Sequence, residues 1–314
     1  MQTLLKILQD GRFHSGEELG AVLGISRSAV WKRLQHLEAE HGLQFHKVRG
    51  RGYRLASPIS LLDPQRIEGF WPVEILSAID STNSEAMRRL AAGASTPFVL
   101  VAEQQTAGRG RRGRVWISPY GENLYYSLAV TVRGGARELE GLSLVVGLAV
   151  LKVLDLLQVS KAGLKWPNDL LQDGRKIAGI LLELSGDPAD LCQVVIGIGI
   201  NVNMKVATDI DQPWTSLREA LGGLVDRSRL LSVLNQQLAW YLDRHSREGF
   251  AASREEWEAR NLWQGALVSL STSSTSIEGR VLGVDARGAL RLEVGGVEQS
   301  FSGGELSLRL RNDS

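Results

Sequence analysis

Residues 103–114 read EQQTAGRGRRGR, and they directly follow the apolar run FVLVA at residues 98–102. A strand that leaves a core and becomes a loop of four arginines (Arg109, Arg111, Arg112, Arg114) among three glycines (Gly108, Gly110, Gly113) has a defined physical use. Glycine lets backbone N–H groups approach a ligand closely, and guanidinium forks bind carboxylate or phosphate in bidentate fashion. A solvated basic loop or a nucleic-acid patch has the same composition, so the loop alone leaves both readings open.

The chain around it has 314 residues, room for two or three domains, and its 43% hydrophobic content is that of a soluble globular protein. A formal net charge of +1 excludes a globally basic nucleic-acid binder, so any such activity must sit in a local patch. The single cysteine, Cys192, excludes an intrachain disulfide and fits a reducing compartment; its surroundings, LCQVV, read as strand packing. The first residues are too broken by charge for a signal peptide, and the apolar stretch at 141–151 is too short to span a bilayer. A cytoplasmic protein without membrane attachment is expected.

On the N-terminal side, Leu4, Leu5, Ile7 and Leu8 form an apolar helical face. Ser15 is placed to cap a second helix that carries Leu19, Val22 and Leu23 and breaks at Gly24. Ser26 caps a third, with Ala29, Val30, Leu34 and Leu37 at helical spacing. This is a helix-turn-helix pattern, and Arg49-Gly50-Arg51-Gly52-Tyr53 adds a basic wing. Residues 1–60 carry nine Lys/Arg against five Asp/Glu, so pattern and local charge both favour DNA over a merely solvated helical cap. Ser26, Arg27, Ser28, Trp31, Lys32, Arg33, Arg49 and Arg51 are the candidate contacts. Pro58 and Pro64 mark a linker near residues 57–65.

On the C-terminal side, residues 73–76 read as a strand, and Ser81, Thr82 and Asn83 crowd the start of a helix where one cap would suffice. Trp116 and residues 123–130 read as a hairpin element, and residues 141–157 as a buried helix. Then comes Lys165-Trp166-Pro167-Asn168-Asp169, in which Asn-Asp is also ordinary turn chemistry. Two strands follow, at 175–184 and 194–203. Gly197 and Gly199 complete no G-x-G-x-x-G fingerprint and mark close approach of a ligand inside a strand. Helices are expected at 216–241 and 250–263. Short strands near 266–270, 276–282, 289–294 and 298–301 point to a small β-barrel of SH3-like type.

Taken in order, Asp80-Ser81-Thr82-Asn83, residues 105–114, Lys165 to Asp169, Lys176-Ile177-Ala178-Gly179-Ile180, Gly197 to Asn201 and GGELSLR at 303–309 resemble the bifunctional biotin–protein ligases that also repress the biotin operon. The resemblance covers essentially the whole chain. It implies an α+β protein: a winged helix-turn-helix at 1–60, a class II synthetase-like mixed-sheet catalytic domain at 65–262, and an SH3-like barrel at 263–314. It implies that biotin and ATP, with Mg²⁺, form biotinyl-5′-AMP, and that biotin then passes to a lysine of the biotin carboxyl carrier protein. Lys176 and Arg111 would be catalytic. Ser81, Thr82, Asn83, Gln105, Arg109, Gly110, Arg111 and Lys176 would hold biotin. Lys165, Asn168, Asp169, Asn201, Trp214 and Arg309 would serve ATP, Trp214 by stacking on adenine and Asp169 also as a metal ligand. The adenylate would act as corepressor, favouring a homodimer on operator DNA. A repressor that senses ligand without turnover, and a lipoate–protein ligase, are the competing readings; the polar pocket residues suit a ureido ring better than a linear acyl chain.

Overall fold

The computed structural model describes residues 2–133, 138–186, 191–207, 209–271, 275–303 and 306–311. Three helices open the chain: α1 (Gln2–Leu8), α2 (Gly16–Leu23) and α3 (Arg27–His41). Their boundaries follow from local chemistry. Ser15 Oγ accepts from Glu18 N, Ser26 Oγ accepts from Ala29 N, and Gly24 and Gly42 end α2 and α3 in the left-handed conformation. Strands β1 (Phe45–Val48) and β2 (Gly52–Leu55) pair as the antiparallel wing.

The segment expected to be a linker is packed instead. Ile59, Leu61 and Leu62 are buried, and Leu62 N donates to Glu103 Oε1 at 2.7 Å. Tyr120, from the second sheet's neighbourhood, joins the same apolar cluster as Leu4, Leu34 and Leu37 of the helical module. The apolar residues between Pro58 and Pro64 drive this packing, since their side chains gain more from burial than from solvent exposure.

A seven-stranded sheet follows, in the order β3-β4-β5-β9-β8-β7-β6. It comprises β3 (Val73–Leu76), β4 (Phe98–Ala102), β5 (Leu124–Arg133), β6 (Ala162–Lys165), β7 (Asp169–Gln172), β8 (Arg175–Gly186) and β9 (Leu191–Ile200). Only β3 and β4 run parallel. Helix α4 (Thr82–Ala91) lies on one face; α5 (Leu142–Leu156) and α7 (Arg227–Glu248) pack together against the other. The short α6 (Leu217–Leu221) and α8 (Arg254–Ala259) flank them, and α8 ends before the helix expected through residue 263. No helix among the described residues is long and apolar enough to cross a membrane.

The period-2 alternation of strand side chains creates the site. On β9, Val194, Ile196, Ile198 and Ile200 enter the core beneath α5 and α7, which leaves Gly197 and Gly199 on the opposite face. Ser127 of β5 and Leu181 of β8 stand beside Gly197, and Tyr125 and Gly179 stand beside Gly199. Cys192, on the core side of β9, is fully buried.

The last sheet is antiparallel, in the order β13-β12-β11-β10-β14, built from β10 (Leu267–Ser271), β11 (Ser276–Val284), β12 (Leu290–Val294), β13 (Val297–Phe301) and β14 (Ser307–Leu310). Val268, Val281, Leu292 and Leu308 share one continuous core with the large sheet. Trp166 Nε1 donates to Gly288 O at 3.1 Å across that junction. Of the 303–309 motif, Gly304 and Glu305 lie outside the described residues; Ser307 begins β14, a strand absent from the sequence reading.

Candidate active site

The face of the sheet opposite α5 and α7 opens into a cleft of about 360 Å³. One end is neutral and polar. Ser81 caps α4, its Oγ accepting from Ser84 N, so its side chain serves the helix first. Thr82 N and Oγ1 donate to Gln105 Oε1 at 2.9 and 3.1 Å, and Gln105 Nε2 donates to Ser118 Oγ at 3.0 Å. Ser127 Oγ lies 2.6 Å from Asn83 Oδ1 and 2.8 Å from Thr82 Oγ1. Thr82, Asn83 and Ser127 are all buried, so their orientations are fixed before any ligand arrives. Such a pocket suits a small neutral group with paired donors and acceptors.

The strand glycines have a different cause from the one expected. A side chain at Gly197 would collide with the Asn83 amide, and a Cβ at Gly199 would stand 2.5 Å from the Trp116 indole. The chain itself approaches the strand there. Trp116 lies in a coil segment rather than in a hairpin strand. Its Nε1 is buried and has no hydrogen-bond partner among the described residues, a donor in the cleft wall whose desolvation costs about 1–3 kcal/mol until an acceptor reaches it.

The other end of the cleft is cationic. Its lining holds Arg109, Arg111, Arg112, Arg114, Lys165 and Lys176 against Asp169, Asp209 and Asp211, an excess of positive charge that favours an anionic ligand. Hairpin β6–β7 turns through a cis Trp166–Pro167 bond and brings Lys165 and Asp169 opposite one another. Asp169 then lies between two ammonium groups, with Lys176 Nζ at 2.6 Å from Oδ1 and Lys165 Nζ at 3.6 Å from Oδ2. The two amines also sit over indole rings, Lys176 above Trp116 at 5.4 Å and Lys165 above Trp263 at 4.8 Å. Burial pulls the Lys165 pKa down, Asp169 opposes that shift, and Lys176 adds to it. Burial likewise lowers the pKa of Arg111, with Asp169 opposing and Arg112 and Arg114 adding repulsion.

The arginine loop roofs this cleft. Arg112 (φ 59°) and Gly113 (φ 68°) turn through the left-handed region so that the loop doubles back, closed by the Gly110 N to Arg114 O hydrogen bond of 2.7 Å. Arg111 donates to Asn168 Oδ1 at 2.9 Å and to Leu306 O at 3.4 Å, which ties the roof to both neighbouring sheets. Asn201 is buried and donates to the carbonyls of Lys176 and Thr215. Trp214 lines the cleft and bridges to Lys176.

The structure thus gathers Ser81, Thr82, Asn83, Gln105, Arg109, Gly110, Arg111, Lys165, Asn168, Asp169, Lys176, Asn201 and Trp214 around one cleft. Arg309 stands apart: it is exposed on β14 and outside the lining, where Leu306, Ser307 and Leu308 take its place. Ser118 and Ser127 are not singled out by the sequence, and Trp116 is read there only as part of a hairpin element. As a metal ligand Asp169 fits poorly, since two ammonium groups already neutralise it and no group of three His, Cys, Asp or Glu among the described residues could hold an ion. Ser26, Arg27, Ser28, Trp31, Lys32, Arg49 and Arg51 are exposed on α3, its cap and the wing, with Arg33 half-buried beside them.

A neutral polar pocket runs into a cationic trough beneath a glycine–arginine roof, on a mixed sheet with a winged helix before it, an arrangement that suits a ligand with a neutral polar head and an anionic tail. Residues 76–201 match the Biotin/lipoate A/B protein ligase family, residues 1–54 an HTH domain, and residues 268–309 the Biotin protein ligase C terminal domain. The "Bifunctional ligase/repressor BirA" of Salmonella typhimurium is 42% identical over 312 residues, covering 98% of this chain and 97% of that protein. The Escherichia coli protein of the same name is 41% identical over 98% of this chain and 96% of its own length. Among solved structures, a biotin protein ligase from Aquifex aeolicus in complex with biotin and ATP superposes with a TM-score of 0.68 at 31% identity, covering 77% of this chain and all of that one. The chain belongs to the biotin protein ligases, in the branch that carries an N-terminal helix-turn-helix domain.

Proposed function

We propose that this chain is an ATP-dependent biotin–protein ligase and a ligand-dependent repressor. The observation that carries the reading is the continuity of the neutral pocket at Thr82, Asn83 and Gln105 with the cationic trough at Arg111, Lys165 and Lys176. The ureido ring of biotin would take the neutral end, and its carboxylate would extend to Lys176. There a carboxylate oxygen attacks the α-phosphorus of MgATP; the bond to the bridging oxygen breaks and pyrophosphate leaves. Lys176 and Arg111 offset the negative charge shared by the two reacting groups. Asp169, between the two ammonium groups, holds both lysines in place and is a positioning residue. Trp214 would stack on adenine, with Lys165, Asn168 and Asn201 around the nucleotide. The Mg²⁺ would arrive on the ATP phosphates rather than in a protein cage. Arg309 would reach the nucleotide only if β14 shifted toward the cleft.

In the second step an acceptor lysine of the carrier protein, as free amine, attacks the acyl carbon of biotinyl-5′-AMP. AMP leaves, an amide forms, and the amine loses a proton. The roof of glycines and arginines would exclude water from the mixed anhydride in the interval. With no acceptor present, the retained adenylate would act as corepressor, favouring a homodimer that presents two winged helices to an operator. The single buried cysteine agrees with a cytoplasmic setting.

The test is incubation of the purified chain with biotin, MgATP and an apo carrier domain, read by the mass of the carrier. One biotin added on one lysine, lost in Lys176→Ala, is the expected result. No transfer together with biotin-dependent retention of DNA would instead favour the repressor that does not turn over.

A further inference from the structure

Glu183 lies on β8, on the same face as Gly179 and Leu181 but outside the cleft lining, beneath the arginine loop. One of its carboxylate oxygens accepts from Asn83 Nδ2 at 2.9 Å, inside the neutral pocket. Both oxygens accept from Arg109 Nη2, at 2.6 and 2.8 Å, on the loop that roofs the cleft. Arg109 therefore lines the cleft while its guanidinium is turned onto a carboxylate of the protein's own sheet. Arg111, at the other side of the loop, is held by Asn168 and Leu306. The strap at Glu183 reaches the neutral end of the cleft through Asn83, and the one at Arg111 reaches its cationic end through Asn168.

We propose that Glu183 is a positioning residue that latches the roof shut, joining Arg109 to Asn83 so that the loop stays closed over a ligand already seated on the pocket floor. The inference rests on the ligase reading for its consequence: the latch sets how long the acyl-adenylate is retained. An adenylate that escapes acylates any free amine it meets, forming an amide with loss of AMP. The Arg109 side chain is 43% exposed and that of Glu183 23%, so the strap is a partly screened pair, strong enough to bias the loop and weak enough to open for exchange.

Glu183→Gln separates the two contacts. The amide oxygen still accepts from Asn83, while the charge beneath Arg109 is gone. The full-length chain would be supplied with biotin, MgATP and a bystander protein, and biotin on the bystander divided by pyrophosphate released. We expect that ratio to rise about two- to five-fold in Glu183→Gln, the change an exposed ion pair supports. Glu183→Asp should recover part of the loss. Raising salt should lift the wild-type ratio toward that of the variant and leave the variant flat, since only the charged strap is screened. In the ligand-free protein, hydrogen exchange at residues 107–115 should quicken in Glu183→Gln. An unchanged ratio with unchanged exchange overturns the latch. Absence of pyrophosphate release in the wild type overturns the ligase reading instead, and the ligand-free exchange then decides the latch by itself.

Discussion

His41, the last residue of α3, donates from Nδ1 to Gln104 Oε1 at 2.8 Å and stacks on Tyr120 with ring centroids 4.3 Å apart. Three consecutive residues thereby face three partners. Glu103 accepts from Leu62 N and pairs with Arg227, Gln104 holds the helix expected to read DNA, and Gln105 holds Thr82 in the ligand pocket. Alternation along an extended chain sends neighbouring side chains to different places, and here it sets the pocket one peptide unit from the helical module.

His41→Ala removes a half-buried hydrogen bond and a ring contact, at a cost of about 1–2 kcal/mol. Exchange of the amides in the last turn of α3 should quicken. If saturating biotin and MgATP slow that exchange in the wild type, the effect should be lost in His41→Ala; an unaltered response would show that the junction carries no signal.

Lys176→Ala should lower adenylate formation by roughly 10²–10³-fold, the scale seen when one preorganised charge-stabilising donor is removed. Pyrophosphate release under saturating biotin and ATP measures it. Retention of more than a tenth of the wild-type rate would move the chemistry to another cation.

Gly199→Ala sets a methyl group 2.5 Å from the Trp116 ring. Overpacking of this kind costs about 1–3 kcal/mol, and relief requires the indole to swing into the cleft. Biotin affinity measured by calorimetry should fall at least about tenfold while the far-UV circular dichroism is retained. Normal binding would mean the indole has another resting place.

Arg227 is fully buried, donates to the carbonyls of Ser60 and Asn123, and pairs with Glu103. Arg227→Leu leaves the Glu103 carboxylate without its charge partner, so stability should fall by about 3–5 kcal/mol. Adding Glu103→Gln should restore part of it. Urea midpoints of the two variants give the comparison, and equal midpoints would show that Glu103 finds another counter-charge.

His14 lies between Asp10 (3.0 Å) and Glu18 (3.2 Å). Burial lowers its pKa, but the two carboxylates more than offset this and raise it above the ordinary value of 6.5. A raised folded-state pKa gives stability that is full below about 6.5 and fades as pH climbs through the folded value. Both acids are exposed, so screening keeps the effect below about 1 kcal/mol. The melting temperature gap between wild type and His14→Gln should be wider at pH 5.5 than at pH 8; a gap independent of pH would rule out the charged pairings.

The parts legible in the sequence were those fixed by neighbours along the chain. Ser15, Gly24 and Ser26 announce the helix-turn-helix because caps act over three residues, and the apolar run at 142–156 announces α5 because burial on nearly all sides leaves no continuous polar stripe. What escaped was set by pairing between distant strands. Nothing near Gly199 says that Trp116 covers it, since the sequence places Trp116 in a hairpin element rather than in a coil that crosses the sheet. Glu183 is one acid within an apolar strand, and its partner Arg109 lies 74 residues away, so nothing nearby in the chain pairs the two. Ser127 is one small polar residue in an apolar strand, and its partners lie 44 and 45 residues away.

Cys192 is the one thiol in the sequence, and the sheet hides it completely. A maleimide dye has no native target on the folded surface. Val115, at the exit of the arginine loop and 72% exposed, could be changed to cysteine in the otherwise natural chain and become the single labelled position. The protein is therefore ready for single-molecule fluorescence of its own roof, with no background cysteine to engineer away.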